Sequence, residues 1–180
     1  MPLYFIAILP SPEIADQARS IQNEFAKNYD SKRQLRLPVH LTLVPPFRKT
    51  VDFEEKMISS LQDFAKEQHP FEIHLNDFGA FSKKVIYIDV QENEDIKKLY
   101  QNLNSWLTTR LHLELSESGM RFNPHVTVAN RDLKLSAFNK AWPKFEKRKF
   151  SASFDVKSIY LLKHNGSVWE VFRAFRFGFE

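Results

Sequence analysis

Two short segments of the 180-residue chain carry the same pair of reactive side chains: Pro-Val-His-Leu-Thr-Leu-Val at 38–44 and Asn-Pro-His-Val-Thr-Val-Ala at 123–129. Residues i and i+2 of a strand share a face. His40 and Thr42 therefore point one way while Leu41 and Leu43 point the other, and the same holds for His125 and Thr127 against Val126 and Val128. Each strand can anchor one face in a core and offer an imidazole and a hydroxyl on the other. Thr occurs only at 42, 50, 108, 109 and 127. Its recurrence two residues after two of the six His has a chance expectation of roughly 1 %. The plain alternative is two ordinary strands with polar outer faces.

Two such pairs on facing strands suit displacement at phosphorus. In-line attack places nucleophile and leaving group on opposite sides, so one imidazole can take a proton from water while the other gives one to the departing oxygen. The two hydroxyls can hold the non-bridging phosphate oxygens. An unperturbed pair of this kind would have its optimum at about pH 6–7.5. The arrangement calls for no metal and no other cofactor, and the sequence has no His-Glu-x-x-His, no Cys and no acidic cluster beside either motif.

The elements that must position these pairs can be read from periodicity. Leu3–Leu9, bounded by Pro2 and Pro10, reads as a buried strand, and Ser11-Pro12 opens a helix over 12–28 carried by Ile14, Ala18, Ile21, Phe25 and Ala26. Asp52 and Glu55 form a capping-box pattern ahead of a second amphipathic helix to about residue 68. A strand at 71–75, a turn marked by Gly79 and a strand at 85–90 follow. Asp95 opens a third helix, and a short fourth near 136–146 contains Pro143. Asn165-Gly166 predicts a type I′ hairpin between 158–163 and 167–177. Strand, helix and His-x-Thr segment occur twice, with the two motifs 85 residues apart, which implies two similar lobes within one α+β unit over residues 1–180.

Composition narrows the function classes. Hydrophobic residues make up 43 % of the chain, with 17 Phe, which excludes disorder. Absence of Cys excludes a disulfide framework and a thiol nucleophile and fits a reducing, cytoplasmic setting. The apolar run at 3–9 is too short to span a bilayer and lacks the basic flank of a signal peptide, so no membrane association is expected. The net charge of +4 is modest, but its excess lies wholly in residues 91–180, consistent with an anionic partner or with a solvated lysine-rich surface.

The paired motifs, the first followed by Pro-Pro-Phe (45–47) and the second preceded by Asn-Pro, resemble those of the 2H phosphoesterase superfamily, in particular its bacterial branch of 2′-5′ RNA ligases and RNA 2′,3′-cyclic phosphodiesterases. Tyr-Phe-Ile-Ala-Ile (4–8), Asp-Phe-Gly-Ala-Phe (77–81), Val-Ile-Tyr-Ile (85–88) and Gly-Ser-Val-Trp-Glu (166–170) fall where that family has similar segments. One departure is Pro-Pro-Phe itself, where the ligase branch commonly carries Phe-Leu-Gly after the first motif. The resemblance implies a bilobal α+β fold, with two pseudo-symmetric lobes of antiparallel sheet around a central cleft and helices outside. It also implies a metal-independent phosphoesterase with His40, Thr42, His125 and Thr127 as the catalytic set, His40 as acid and His125 as base. The expected substrate is an RNA or nucleotide with a 2′,3′-cyclic phosphate or a 2′-5′ linkage, with ligation as the reverse reaction, and the chain is expected to act as a monomer.

Phe47 and Tyr87 are candidates to stack a base and Arg131 to meet a phosphate, though packing for the aromatics and a solvated loop for the arginine also fit. His69 in a His-Pro turn and His164 at the hairpin tip read as solvated, and His74 and His112 as non-catalytic. Two other classes compete. One is a non-catalytic RNA-binding module, suggested by the βαβ lobes, the basic second half and Gly-Ala-Phe at 79–81, although most of the RNP pattern is missing. The other is a His-based metallohydrolase, which lacks a third ligand by motif.

Overall fold

A computed structural model of the chain describes residues 1–113 and 122–178. Its strands form one eight-stranded antiparallel sheet. β1 (Leu3–Ile8), α1 (Pro12–Tyr29) and β2 (Leu41–Arg48) open the chain, followed by α2 (Glu54–Lys66), β3 (Phe71–Phe81), β4 (Val85–Val90) and α3 (Glu94–Leu111). β5 (His125–Ala129), α4 (Leu135–Phe145), β6 (Ser151–Val156), β7 (Ser158–His164) and β8 (Trp169–Arg176) complete it.

The strand order is β6-β3-β4-β5-β2-β1-β7-β8. It is symmetric about its centre: β4-α3-β5 on one side matches β1-α1-β2 on the other, and each unit is extended by two further strands. Strand alternation sorts the faces. Tyr4, Ile6 and Ile8 of β1, Leu41 and Leu43 of β2, Ile86 and Ile88 of β4, and Val126 and Val128 of β5 join the buried faces of the four helices in one large cluster. Phe5 and Ala7 turn to the other face and pack with Leu162. That second face is the one free to build a cleft.

Local chemistry explains most boundaries. α1 has Pro12 in its first turn and ends at Asp30 in the left-handed region, φ 56°. α3 begins at Glu94 because the Asn93 side chain accepts from the backbone N–H groups of Asp95 and Ile96, each at 3.0 Å. That makes Asn93, two residues ahead of the expected Asp95, the cap. The capping box at Asp52 and Glu55 does not form: residues 51–53 make a 3₁₀ turn, and α2 starts without a side-chain cap.

Two turns differ from expectation. Gly79 lies inside β3 rather than at a turn, paired with Tyr87 of β4, whose ring lies against it. A Cβ there would come within 2.4 Å of that ring, so this position requires the absence of a side chain. The chain reverses instead at Ser82 and Lys83, both at positive φ (50° and 53°), with the Lys84 N–H donating to Phe81 O at 3.0 Å. At Asn165-Gly166 only the glycine has positive φ, so the turn is not type I′. Asn165 Oδ1 instead accepts from the N–H groups of Ser167 (3.0 Å) and Val168 (2.9 Å), and the loop lengthens to 165–168. Pro143 is accommodated within α4, whose buried face of Phe138, Ala141 and Phe145 holds the last turn in place.

Candidate active site

β2 and β5 meet at the centre of the sheet through one pair in register, Leu41 with Val126. Extending that antiparallel register by one residue sets His40 towards Thr127 and Thr42 towards His125, all four on the face away from the helices. The strands diverge beyond this point, and the four side chains line a cleft of about 1420 Å³.

The two imidazoles are held alike. His40 Nδ1 lies 2.7 Å from Pro38 O and His125 Nδ1 lies 2.7 Å from Asn123 O, in each case the carbonyl two residues earlier. A carbonyl only accepts, so Nδ1 carries the proton and donates, and Nε2 is left to exchange protons in the cleft. Each ring is backed by aromatics. Phe5 lies 4.9 Å from the His40 ring, and Trp169 stands edge-on to Phe5 at 4.6 Å. On the other side Tyr87 lies 4.9 Å from the His125 ring, and Phe81 5.2 Å away edge-on.

Burial dominates their electrostatics. His40 is half-buried where it lines the cleft. Desolvation pushes its pKa down to about 4, against the pull of the Pro38 carbonyl, with the charges of His125 and Arg19 acting in the same downward direction. Desolvation also lowers His125, opposed by the Asn123 carbonyl and by the carboxylate of Asp89. Asp89 itself is raised by burial, while the Val90 N–H and His125 work the other way.

The remaining candidates divide. Arg131 lines the cleft. Phe47 does not: it falls on the side of Leu41 and Leu43, packs against the main core and lies 6.0 Å from the Tyr4 ring. Tyr87 is buried, wedged between Gly79 and His125, so it supports the histidine from behind. His164, expected to be solvated, ends β7 and lines the cleft with its ring edge-on to Trp169 at 5.1 Å. His74 lies on the exposed sheet surface, 3.3 Å from Glu72, and His112 is the exposed left-handed residue that ends α3.

Several groups at the site were not singled out from sequence. Arg19 of α1 donates to Gln34 O (3.1 Å) and Leu37 O (2.5 Å), fixing the segment that forms one wall. Asp132 ties the same segment to the end of β5, accepting from Ser31 Oγ (2.9 Å) and from the N–H groups of Lys32 (2.7 Å) and Arg33 (2.8 Å). This brings Arg33 to the cleft, which Arg131 also lines. Gln22 Nε2 donates to Thr127 O at 2.9 Å and fixes the second motif against α1. Asp89 was the most legible of these, being the one charge in the run Val85–Val90. Among the described residues, no group of three or more His, Asp or Glu side chains could hold a metal ion, and no helix is long and apolar enough to cross a membrane.

Comparison with known proteins agrees with this picture. A family model described as the 2′-5′ RNA ligase superfamily matches residues 10–168. A protein of Geobacillus sp. (strain WCH70) named for phosphoesterase activity is 30 % identical over 179 residues, covering 97 % of this chain and 96 % of its own. One of the same name from Bacillus pumilus (strain SAFR-032) is 31 % identical over 183 residues, covering 98 % of each. Among solved structures, TT0787 of Thermus thermophilus superposes with a TM-score of 0.71 at 19 % identity, covering all of both chains. E. coli LigT complexed with 3′-AMP does so with a TM-score of 0.68 at 19 % identity, covering 98 % of this chain and 99 % of its own.

Proposed function

The chain belongs to the 2′-5′ RNA ligase superfamily and is a phosphoesterase of the 2H type, and from that premise we propose that it hydrolyses a 2′,3′-cyclic phosphate, or a related phosphodiester of RNA or a nucleotide, by paired imidazole acid–base catalysis. The observation that carries this reading is the matched tethering of His40 and His125. Both rings have Nδ1 committed to a carbonyl two residues back and Nε2 free, on strands that meet between them.

In this reading the substrate phosphorus sits between the two rings. One Nε2 accepts a proton from the attacking water, and the other donates to the ribose oxygen as its bond to phosphorus breaks. The Thr42 and Thr127 hydroxyls donate to the non-bridging oxygens, where negative charge concentrates as the fifth oxygen arrives. Arg33 and Arg131 supply positive charge along the same cleft and suit a phosphodiester chain or a terminal phosphate. The 3′-AMP complex of LigT supports a nucleotide as ligand for a cleft of this fold. Ligation through a 2′-5′ linkage would run the same proton transfers in reverse.

The test is a panel of 2′,3′-cyclic nucleotides and 2′-5′-linked dinucleotides incubated with the purified chain, with products identified by phosphorus NMR. Turnover of the cyclic phosphates to a single monoester supports the reading. Binding of RNA without turnover of any member of the panel would instead favour a binding module.

A further inference from the structure

Neither of the aromatic side chains that the sequence offers for stacking a base, Phe47 and Tyr87, is placed to do so. β1 and β2 pair as Ala7 with Thr42, Ile6 with Val44 and Tyr4 with Phe47, so β2 advances five residues while β1 advances three. These irregularities turn Phe47 to the core face and leave Pro45 and Pro46 at the cleft, where they offer no π surface. Tyr87 is buried behind His125, with Phe81 stacked on it at 4.4 Å and 27°. Phe122 also lines the cleft, but its ring is stacked on Tyr100 at 3.9 Å and 9°.

Trp169 is differently placed. It opens β8 directly across the hairpin from His164 and lines the cleft, half-buried. It meets Phe5 (4.6 Å, 75°) and His164 (5.1 Å, 71°) edge-on, and among the described residues no ring lies parallel to it. Its indole N–H has no partner among the described residues, whereas Trp106 Nε1 donates to Ser60 Oγ at 2.9 Å. Phe5 in turn lies 4.9 Å from the His40 ring, so a single ring separates Trp169 from the first motif. A ribose interposes a gap of that order between its 2′,3′-phosphate and its base. The hairpin end is tied down around the indole. The Asn165 N–H donates to Val168 O at 3.0 Å, Asn165 Nδ2 donates to Glu170 at 2.7 Å, and the Gly166 N–H donates to His164 Nδ1 at 3.1 Å. A surface fixed in advance loses little freedom when a ligand arrives.

We propose that Trp169 is the nucleobase platform of the cleft, stacking the base of the substrate nucleotide on its indole while the phosphate lies between His40 and His125. This rests on the nucleotide reading above and goes beyond it, naming the residue that distinguishes a nucleotide from a bare cyclic phosphate. Every base has a π face, so the platform takes purines and pyrimidines alike. Phe5 and His164 hold the indole from its sides.

The experiment compares the wild type with Trp169→Leu, which keeps apolar packing against Phe5 and Leu162, and with Trp169→Phe, which keeps an aromatic face. The first measurement is kcat/KM on adenosine 2′,3′-cyclic phosphate relative to that on methyl riboside 2,3-cyclic phosphate, which has no base. Trp169→Leu should lower this ratio about tenfold, chiefly through KM for the nucleotide, and Trp169→Phe should recover most of it. A ratio that Trp169→Leu leaves within about twofold of the wild type overturns the proposal. The second measurement is tryptophan fluorescence during titration with adenosine 3′-monophosphate, which needs no turnover. The nucleotide should quench the wild type, and the quenching should be lost in Trp169→Phe although Trp106 and Trp142 remain. Unchanged emission in the wild type, or quenching that persists in Trp169→Phe, overturns the proposal, and this measurement decides even if Trp169→Leu does not fold. Quenching at Trp169 without hydrolysis of any cyclic phosphate supports the platform and overturns the hydrolase reading instead.

Discussion

Leu41 and Val126 pair across the centre of the sheet, and this one register point brings together two motifs that lie 85 residues apart in the chain. It sets each histidine towards the threonine of the other motif, and the proposed reaction uses both halves in one step. His40→Ala and His125→Ala should each lower turnover of a cyclic phosphate by about 10²-fold or more, with thermal unfolding little changed. The double variant should fall far short of the product of the two losses, since either one already disables the concerted step. Steady-state kinetics on the three proteins measures this, and near wild-type turnover in either single variant would remove the proposed roles.

The pH profile should lie on the acid side of that expected for unperturbed imidazoles. Burial takes His40 to about 4 and lowers His125 as well, so the bell of kcat/KM, which reports the pair in the free enzyme, should shift to lower pH than that of unperturbed imidazoles. An optimum at pH 8 or above would contradict this assignment.

Activity should persist in EDTA, because the proposed chemistry moves protons between imidazoles and water and holds phosphate with hydroxyls. Loss on chelation that zinc or manganese restores would point to a metal-dependent reaction.

Gly79→Ala probes the support behind His125. The new methyl group would meet the buried Tyr87 ring at 2.4 Å, at a cost of about 1–3 kcal/mol and with displacement of the ring that backs the histidine. Both melting temperature and kcat should fall. Adding Tyr87→Val, which vacates the space, should recover stability more than activity. Full activity in Gly79→Ala would show that Tyr87 has no part in holding His125.

Acid should destabilise the fold through two separate groups. His40 has a lower pKa folded than unfolded, so the unfolded chain binds the extra proton between those values and stability drops as pH falls from about 6.5 towards 4. Glu54 has the same sign in a lower window. Burial raises it, but the hydrogen bonds from Lys163 (Nζ at 2.5 Å) and the Tyr4 hydroxyl, with the charges of Lys163 and Arg173, hold it below the usual carboxylate range. Its contribution is present at neutral pH and is lost as pH falls through its folded value. Glu54→Gln should cost about 2 kcal/mol at pH 7 and less at low pH, whereas His40→Gln should flatten the melting curve between pH 7 and 5. Calorimetry across pH separates the two.

What the amino-acid sequence determined by itself was whatever depends on near neighbours. The i, i+2 alternation of His40 with Thr42 and of His125 with Thr127, the 3.6-residue rhythm of Ile14, Ala18, Ile21 and Phe25, and the β-branched run at 85–90 are all local, and each became the expected element. Local signals failed where another partner was available: Asn93 capped α3 ahead of Asp95, and Gly79 accommodated a ring instead of turning the chain. Tertiary structure alone decided the pairing of Leu41 with Val126, the packing of Phe47 against the core and away from the cleft, the arrival of His164 and Trp169 at its wall, and the pairing of Asp89 with His125. Each of these depends on which strand lies next to which and on which face then loses water. That contact energy arises between residues far apart in the chain, so no window of sequence contains it.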